Sequence, residues 1–129
     1  MGRARVVSEP AHARNATRVS LRLRFPGHEG PLGPGKVQLL EAIERCGSIS
    51  AAGRTLRMSY HHAWTLVNAM NTMFREPLVR SQPGGAKGGG AEITALGHAV
   101  IRSYRSMESK LLQNAAVDIE ALEAALAET

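Results

Sequence analysis

The chain has 129 residues, enough for one domain with a real core but not for a second large module. Hydrophobic residues make up 43% and aromatics only 4%, so aliphatic side chains and alanine must build the interior, which favours packed helices. A formal charge of +5 attracts polyanions such as nucleic acid. No stretch approaches the ~20 apolar residues of a membrane helix, and Cys46, the only cysteine, excludes an intramolecular disulfide framework and a multi-cysteine zinc site and fits a reducing cytosol.

The charge is uneven. Residues 1–24 carry six arginines against Glu9, residues 35–91 carry seven basic against three acidic groups, and residues 92–129 carry three basic against six acidic ones. The last third is therefore expected to face away from phosphates. Residues 1–16 lack the long apolar run of a secretory signal and read as a basic, poorly ordered arm.

"TRVSLRLRF" (17–25) alternates Val19, Leu21, Leu23 and Phe25 with Ser20, Arg22 and Arg24, the pattern of a strand with one buried and one cationic face. A breaker-rich loop, "PGHEGPLGPG", leads to a helix over 35–45 carrying Val37, Leu39, Leu40 and Ile43, which "CGS" ends. Ser48 is the N-cap expected for a short second helix with Ile49, Ala52 and Leu56 on one face, and Ser59 for a third over 60–74. Two such helices across a tight turn match a helix-turn-helix, and Ala51, Ala52 and Gly53 allow close crossing.

The third helix gathers Ala63, Trp64, Val67, Met70 and Phe74 on its apolar side, with Trp64 read as a core anchor. The opposite side presents His61, Thr65, Asn68 and Thr72, with His62 beside them. No charged residue occurs from Ser59 to Phe74, so these hydrogen-bonding groups can approach bases or phosphates without carboxylate repulsion.

"PLVRS" (77–81) and "AEIT" (91–94) read as the strands of a hairpin whose tip is "GGAKGGG". From a Thr94 N-cap to about 127, the recurrence of Val100, Tyr104, Met107, Leu111, Ala115, Ile119, Leu122 and Leu126 predicts one long helix of about 50 Å. A small domain cannot cover so long a stripe, so a homodimer built on this helix is expected.

The stretches "LLEAI" (39–43), "GSIS" (47–50), "SYHHAW" (59–64), "NAMN" (68–71), "LV" (78, 79) and "GGAKGGGAEIT" with "LG" (96, 97) together resemble the N-terminal DNA-binding domain of the ModE family of molybdate-responsive transcription regulators. That resemblance implies a mainly α fold with a small antiparallel sheet: a winged helix-turn-helix over 17–93, whose third helix enters the major groove and whose hairpin is the wing, followed by a dimerisation helix over 94–129. It implies double-stranded DNA as partner, with Ser59, Tyr60, His61, His62 and Thr65 as base or phosphate contacts. Ser48, Arg57, Lys87, Gly88 and Gly89 complete the expected DNA-binding set.

The wing-tip glycines let backbone N–H groups lie close to a sugar-phosphate chain, and Lys87 adds a mobile charge. A nucleotide-phosphate loop is excluded, because the glycines lead into "AEIT" rather than into a lysine-headed helix. Arg18, Arg22, Arg24, Arg54, Arg57, Arg75, Arg80 and Lys87 form the pool from which phosphate contacts are drawn. Arg57 departs from the glycine that the family often has in the turn before the third helix.

The molybdate-binding domains of full-length family members are not expected within these 129 residues, so any response to molybdate would need a separate binding protein, an oxyanion site at the dimer surface, or would be absent. The expected role is a dimeric, cytoplasmic, sequence-specific DNA-binding regulator, with a winged-helix adaptor that binds protein as the rival reading. No enzyme activity, cofactor or metal is expected: the five histidines form no H-x-x-x-H pair, and no local nucleophile and base arrangement occurs.

Overall fold

The computed structural model describes residues 16–83 and 89–128. Among the described residues, five helices and one hairpin follow in the order α1 (Pro34–Cys46), α2 (Ile49–Thr55), α3 (Tyr60–Met73), β1 (Val79–Gln82), β2 (Gly90–Ile93), α4 (Ala95–Asn114) and α5 (Ala116–Ala124). The chain divides into two compact units, one spanning Leu21–Tyr104 and the other built from residues before Leu21 and from Arg105 onward.

Local chemistry sets the helix ends in the first unit. Pro34 opens α1 with its preset φ, and Gly47 closes it in the left-handed region at φ 79, its N–H donating to the Ile43 carbonyl over 2.8 Å. The hydroxyls of Ser48 and Ser59 accept from the N–H groups of Ala51 and His62, each at 3.0 Å, as expected of N-caps. Between α2 and α3 the chain turns through Leu56, Arg57 and Met58. Met58 N–H donates to the Gly53 carbonyl at 2.8 Å and Arg57 N–H to that of Arg54 at 3.1 Å, the paired bonds of a Schellman cap. Arg57 sits in the left-handed position of that cap at φ 61, the only non-glycine residue with positive φ among the described residues.

Aliphatic side chains and alanine fill the core. Leu39, Leu40, Ile43, Val37, Met70 and Leu78 are fully buried, and Ala52 and Ala63 sit where α2 crosses α3. Tyr104 is fully buried as well, its hydroxyl donating to the Leu21 carbonyl at 2.6 Å. Phe25 and Phe74 meet edge to face, their centroids 6.3 Å apart.

β1 and β2 pair antiparallel, Val79 opposite Ile93 and Gln82 opposite Gly90. A two-stranded hairpin is marginal by itself, and here both outer edges are tied down. Asn71 of α3 accepts from the N–H groups of Leu78 (2.8 Å) and Val79 (3.1 Å) through Oδ1 and donates to the Val79 carbonyl (3.0 Å) through Nδ2. On the other edge, Ala91 N–H donates to the Gly47 carbonyl at 2.8 Å. Thr94 then joins hairpin to helix: its hydroxyl donates to the Pro77 carbonyl at 2.8 Å and accepts from Gly97 N–H at 3.0 Å, capping α4.

Two expectations change. The strand expected over 17–25 reduces to one bridge, Leu23 with Leu32, although Leu21, Leu23 and Phe25 do turn inward while Arg22 and Arg24 stay exposed. The facing segment, rich in proline and glycine, offers Leu32 alone between Pro31 and Gly33 as a ladder partner. The helix expected over 94–127 is interrupted at Ala115 (φ −100, ψ 7), just after Asn114, a residue of low helix propensity. Hydrogen bonds from Ala115 to Leu111 and from Ile119 to Ala115, both 2.9 Å, carry the register across the interruption.

In the second unit, α5 buries no residue, and Val117, Leu122 and Leu126 are exposed. Thr17 hydrogen-bonds Glu123, and Arg105 pairs with Glu108 at 2.6 Å.

At Gly97, α4 packs tightly against the hairpin region: a Cβ there would lie 2.4 Å from the Leu78 carbonyl oxygen and 2.6 Å from the Ile93 side chain. Gly97→Ala should therefore lower stability in urea by about 1–3 kcal/mol through overpacking. Gly35→Ala, with nothing within 4 Å of the new methyl, should raise it by roughly 0.5–1 kcal/mol. Equal effects at the two sites would contradict this packing.

Candidate nucleic-acid interface

α2, the turn and α3 form a helix-turn-helix, and the β1–β2 hairpin tied to α3 by Asn71 is its wing. Along α3, Ala63, Val67, Met70 and Met73 are buried, and Tyr60, His61, His62, Trp64, Thr65, Asn68 and Thr72 are exposed. The polar face expected from the sequence is therefore assembled on one helix, and Ser59 is exposed at its head.

Trp64 is a correction. It is 47% exposed and is not a core anchor; Met73 fills the inward position near the end of the helix, while Phe74 is only half-buried. At ~100° per residue, the inward arc of α3 is centred between Ala63 and Met70, and Trp64 falls outside it beside Tyr60.

The remaining expected contacts scatter. Ser48 is half-buried at the head of α2, Arg57 is exposed in the turn, and Gly89 is exposed just before β2. Lys87 and Gly88 lie outside the described residues. Among the arginines, Arg80 is held across the wing stem by Glu92, Nε and Nη2 reaching the same carboxylate oxygen at 3.1 and 2.9 Å. Arg54 donates to the Ser50 hydroxyl at 3.0 Å. Arg57 and Arg75 are exposed, and no hydrogen bond or ion pair engages either side chain among the described residues.

The charge around the helix-turn-helix is one-sided: α2 and α3 contain no Asp or Glu, while Arg54 lies near the end of α2 and Arg57 within the turn. On one flank of α3, a cleft of about 520 Å³ opens between residues 27–30 and the Thr65, Ala69 and Thr72 side chains. Lys36 also lines it; burial pushes the Lys36 amine below its ordinary pKa, and its Nζ donates to the Pro31 carbonyl at 2.7 Å. Among the described residues, no group of three His, Cys, Asp or Glu side chains is placed to hold a metal ion, and no helix is long and apolar enough to cross a membrane.

Asn71 is the residue that sequence reasoning missed. It appeared only within "NAMN", with no sign that its amide would fasten the wing.

No protein-family model matches the chain. Curated relatives do. The chain is 46% identical over 78 residues to the molybdenum-pterin-binding protein MopB of Rhodobacter capsulatus, covering 60% of this chain and 29% of that one. It is 39% identical over 94 residues to the molybdenum transport protein ModE of Azotobacter vinelandii (72% of this chain, 35% of that one). With the DNA-binding transcriptional dual regulator ModE of Escherichia coli K12 it shares 38% over 71 residues (55% and 27%). The chain thus spans about a third of the length of these relatives. A crystal structure of the CbnR DNA-binding domain with DNA is similar at a TM-score of 0.49 and 22% identity, over 70% of this chain and 94% of that one. Over the matched residues, this winged helix-turn-helix chain is homologous to the N-terminal part of the ModE regulators and Mop proteins.

Proposed function

We propose that the chain is a sequence-specific, double-stranded-DNA-binding module of a ModE-like transcription regulator, acting as a homodimer. The observation that carries this reading is the face of α3. It sets exposed imidazole, hydroxyl and amide groups on a helix without a carboxylate, mounted on a core and a fastened wing. Groups of this kind match the donor and acceptor pattern of base edges, and a helix of this size fits the major groove.

Tyr60, His61, His62 and Thr65, in the first turns of α3, are assigned to base edges or nearby phosphates. Ser48, Ser59 and Arg57 are assigned to the sugar-phosphate backbone, as are Lys87, Gly88 and Gly89 of the wing tip. Capping leaves the hydroxyl protons of Ser48 and Ser59 available to a phosphate oxygen. The names of the ModE relatives support DNA as the partner. Val117, Leu122 and Leu126 support a second copy of the chain as the cover for α5. A cytoplasmic location follows from chromosomal DNA as the partner in this reading.

Titration of fluorescent duplexes at two salt concentrations, with DNA from upstream of its own gene and a scrambled duplex, tests the reading. The expected result is tight, salt-sensitive binding that prefers the native duplex; weak, equal, salt-insensitive binding would instead favour a protein-binding adaptor. Replacing His61, His62 and Thr65 together with alanine should erase the preference and leave the circular dichroism spectrum unchanged.

Arg57→Gly should act in two directions. An L-residue in the left-handed region carries roughly 1–2 kcal/mol of strain, part of which the greater freedom of glycine in the unfolded chain offsets. The variant should gain about 0.5–1 kcal/mol in urea while binding every duplex more weakly, with a salt slope smaller by about one ion. Unchanged DNA affinity would remove Arg57 from the interface. For the dimer, Leu122→Glu with Leu126→Glu should shift sedimentation from dimer to monomer without loss of helicity.

A further inference from the structure

The chain has five aromatic side chains. Tyr104 is fully buried, and Phe25 and Phe74 are half-buried against one another. Tyr60 and Trp64 are 58% and 47% exposed, and both stand on α3. Four residues apart, they lie about 6 Å from each other along the helix axis and ~40° around it. They occupy the flank next to Asn71, the side from which α3 holds the wing. His61 and Thr65 lie on the other flank, with Asn68 between.

Two large apolar rings are thus held in water beside a row of hydrogen-bonding groups. Their neighbourhood specifies what covers them. α2 and α3 carry no carboxylate, and Arg54 and Arg57 lie just before α3, so the complementary surface is anionic yet must also present apolar groups at close spacing. In the major groove that apolar group is the C5-methyl of thymine, which side chains read by contact rather than by hydrogen bonding.

We propose that Tyr60 and Trp64 are specificity-determining residues that read thymine methyl groups, so that part of this chain's sequence preference is for methyls rather than for donors and acceptors. The helical spacing of the two rings sets the methyls about two base steps apart. The inference rests on the DNA-binding reading above and adds a substrate feature to it: a site in which thymine cannot be replaced by deoxyuridine.

The test begins with duplexes selected by the wild-type chain from a random pool, in which each thymine is replaced in turn by deoxyuridine. Loss of a methyl read by a ring should weaken wild-type binding roughly threefold to fivefold. Trp64→Ala should abolish that sensitivity at one thymine and Tyr60→Ala at another, while Trp64→Phe retains it. Both residues are exposed, so the alanine variants should keep the wild-type circular dichroism spectrum and the same salt slope on random DNA.

Trp64 is the only tryptophan, so its emission should be quenched by acrylamide in the free protein and shielded in the complex. Selected duplexes that bind equally with deoxyuridine at every position would overturn the inference while leaving DNA recognition intact. So would sensitivity that persists in both alanine variants, or shielding of Trp64 without DNA as protein concentration rises, which would assign the rings to a second copy. Failure to select any sequence would overturn the DNA-binding reading itself.

Discussion

One carboxamide ties the helix-turn-helix to its wing. Asn71 points out of α3 and makes three hydrogen bonds to the strand that begins the wing, two as acceptor and one as donor. Aspartate has no nitrogen to donate to the Val79 carbonyl, and leucine would leave all three backbone groups at the strand edge unpaired, at roughly 1–3 kcal/mol for each one that is buried. With the opposite strand edge bonded to Gly47, the hairpin has little freedom to slide or peel away. Helix and wing are thereby tied together, so the base contacts proposed for one and the backbone contacts proposed for the other would keep a fixed register.

Much of this order is legible in the sequence because its causes are local. The serines at 48 and 59, Gly47 after the first helix and the apolar spacing within α1 act over a few residues, and each does what its position predicts. What escapes is non-local. The partners of Asn71 lie seven and eight residues on, beyond a bend that no periodicity describes. Alternation in 17–25 correctly sorts inward from outward side chains, but strand formation depends on the quality of the facing segment.

Trp64 departs from its apolar pattern for a more general reason: buried residues tend to be apolar, but an apolar residue need not be buried. It sits at the margin of the α3 stripe, where a rotation of some tens of degrees decides between core and solvent. The core settles the matter by taking Met73 at the inward position. The exposed ring is therefore informative about function, whereas a buried one would have spoken only about packing.

Arg57 shows the same separation in backbone geometry. Its Schellman bonds and positive φ are those a glycine would adopt without strain, so the turn between the two helices is preserved although its side chain works against it. A strained residue persists where the surroundings over-determine it, and such residues concentrate at functional sites. The charge lies just ahead of a helix that has none, while Arg80 is neutralised by Glu92. On the proposed DNA-binding reading, affinity and specificity would fall on different groups: cations at the margins would set the attraction to any duplex, and the uncharged face of α3 would supply discrimination. A salt series would then act mainly on the cations and a base-analogue series mainly on the α3 face, so the two proposed contributions can be varied almost independently.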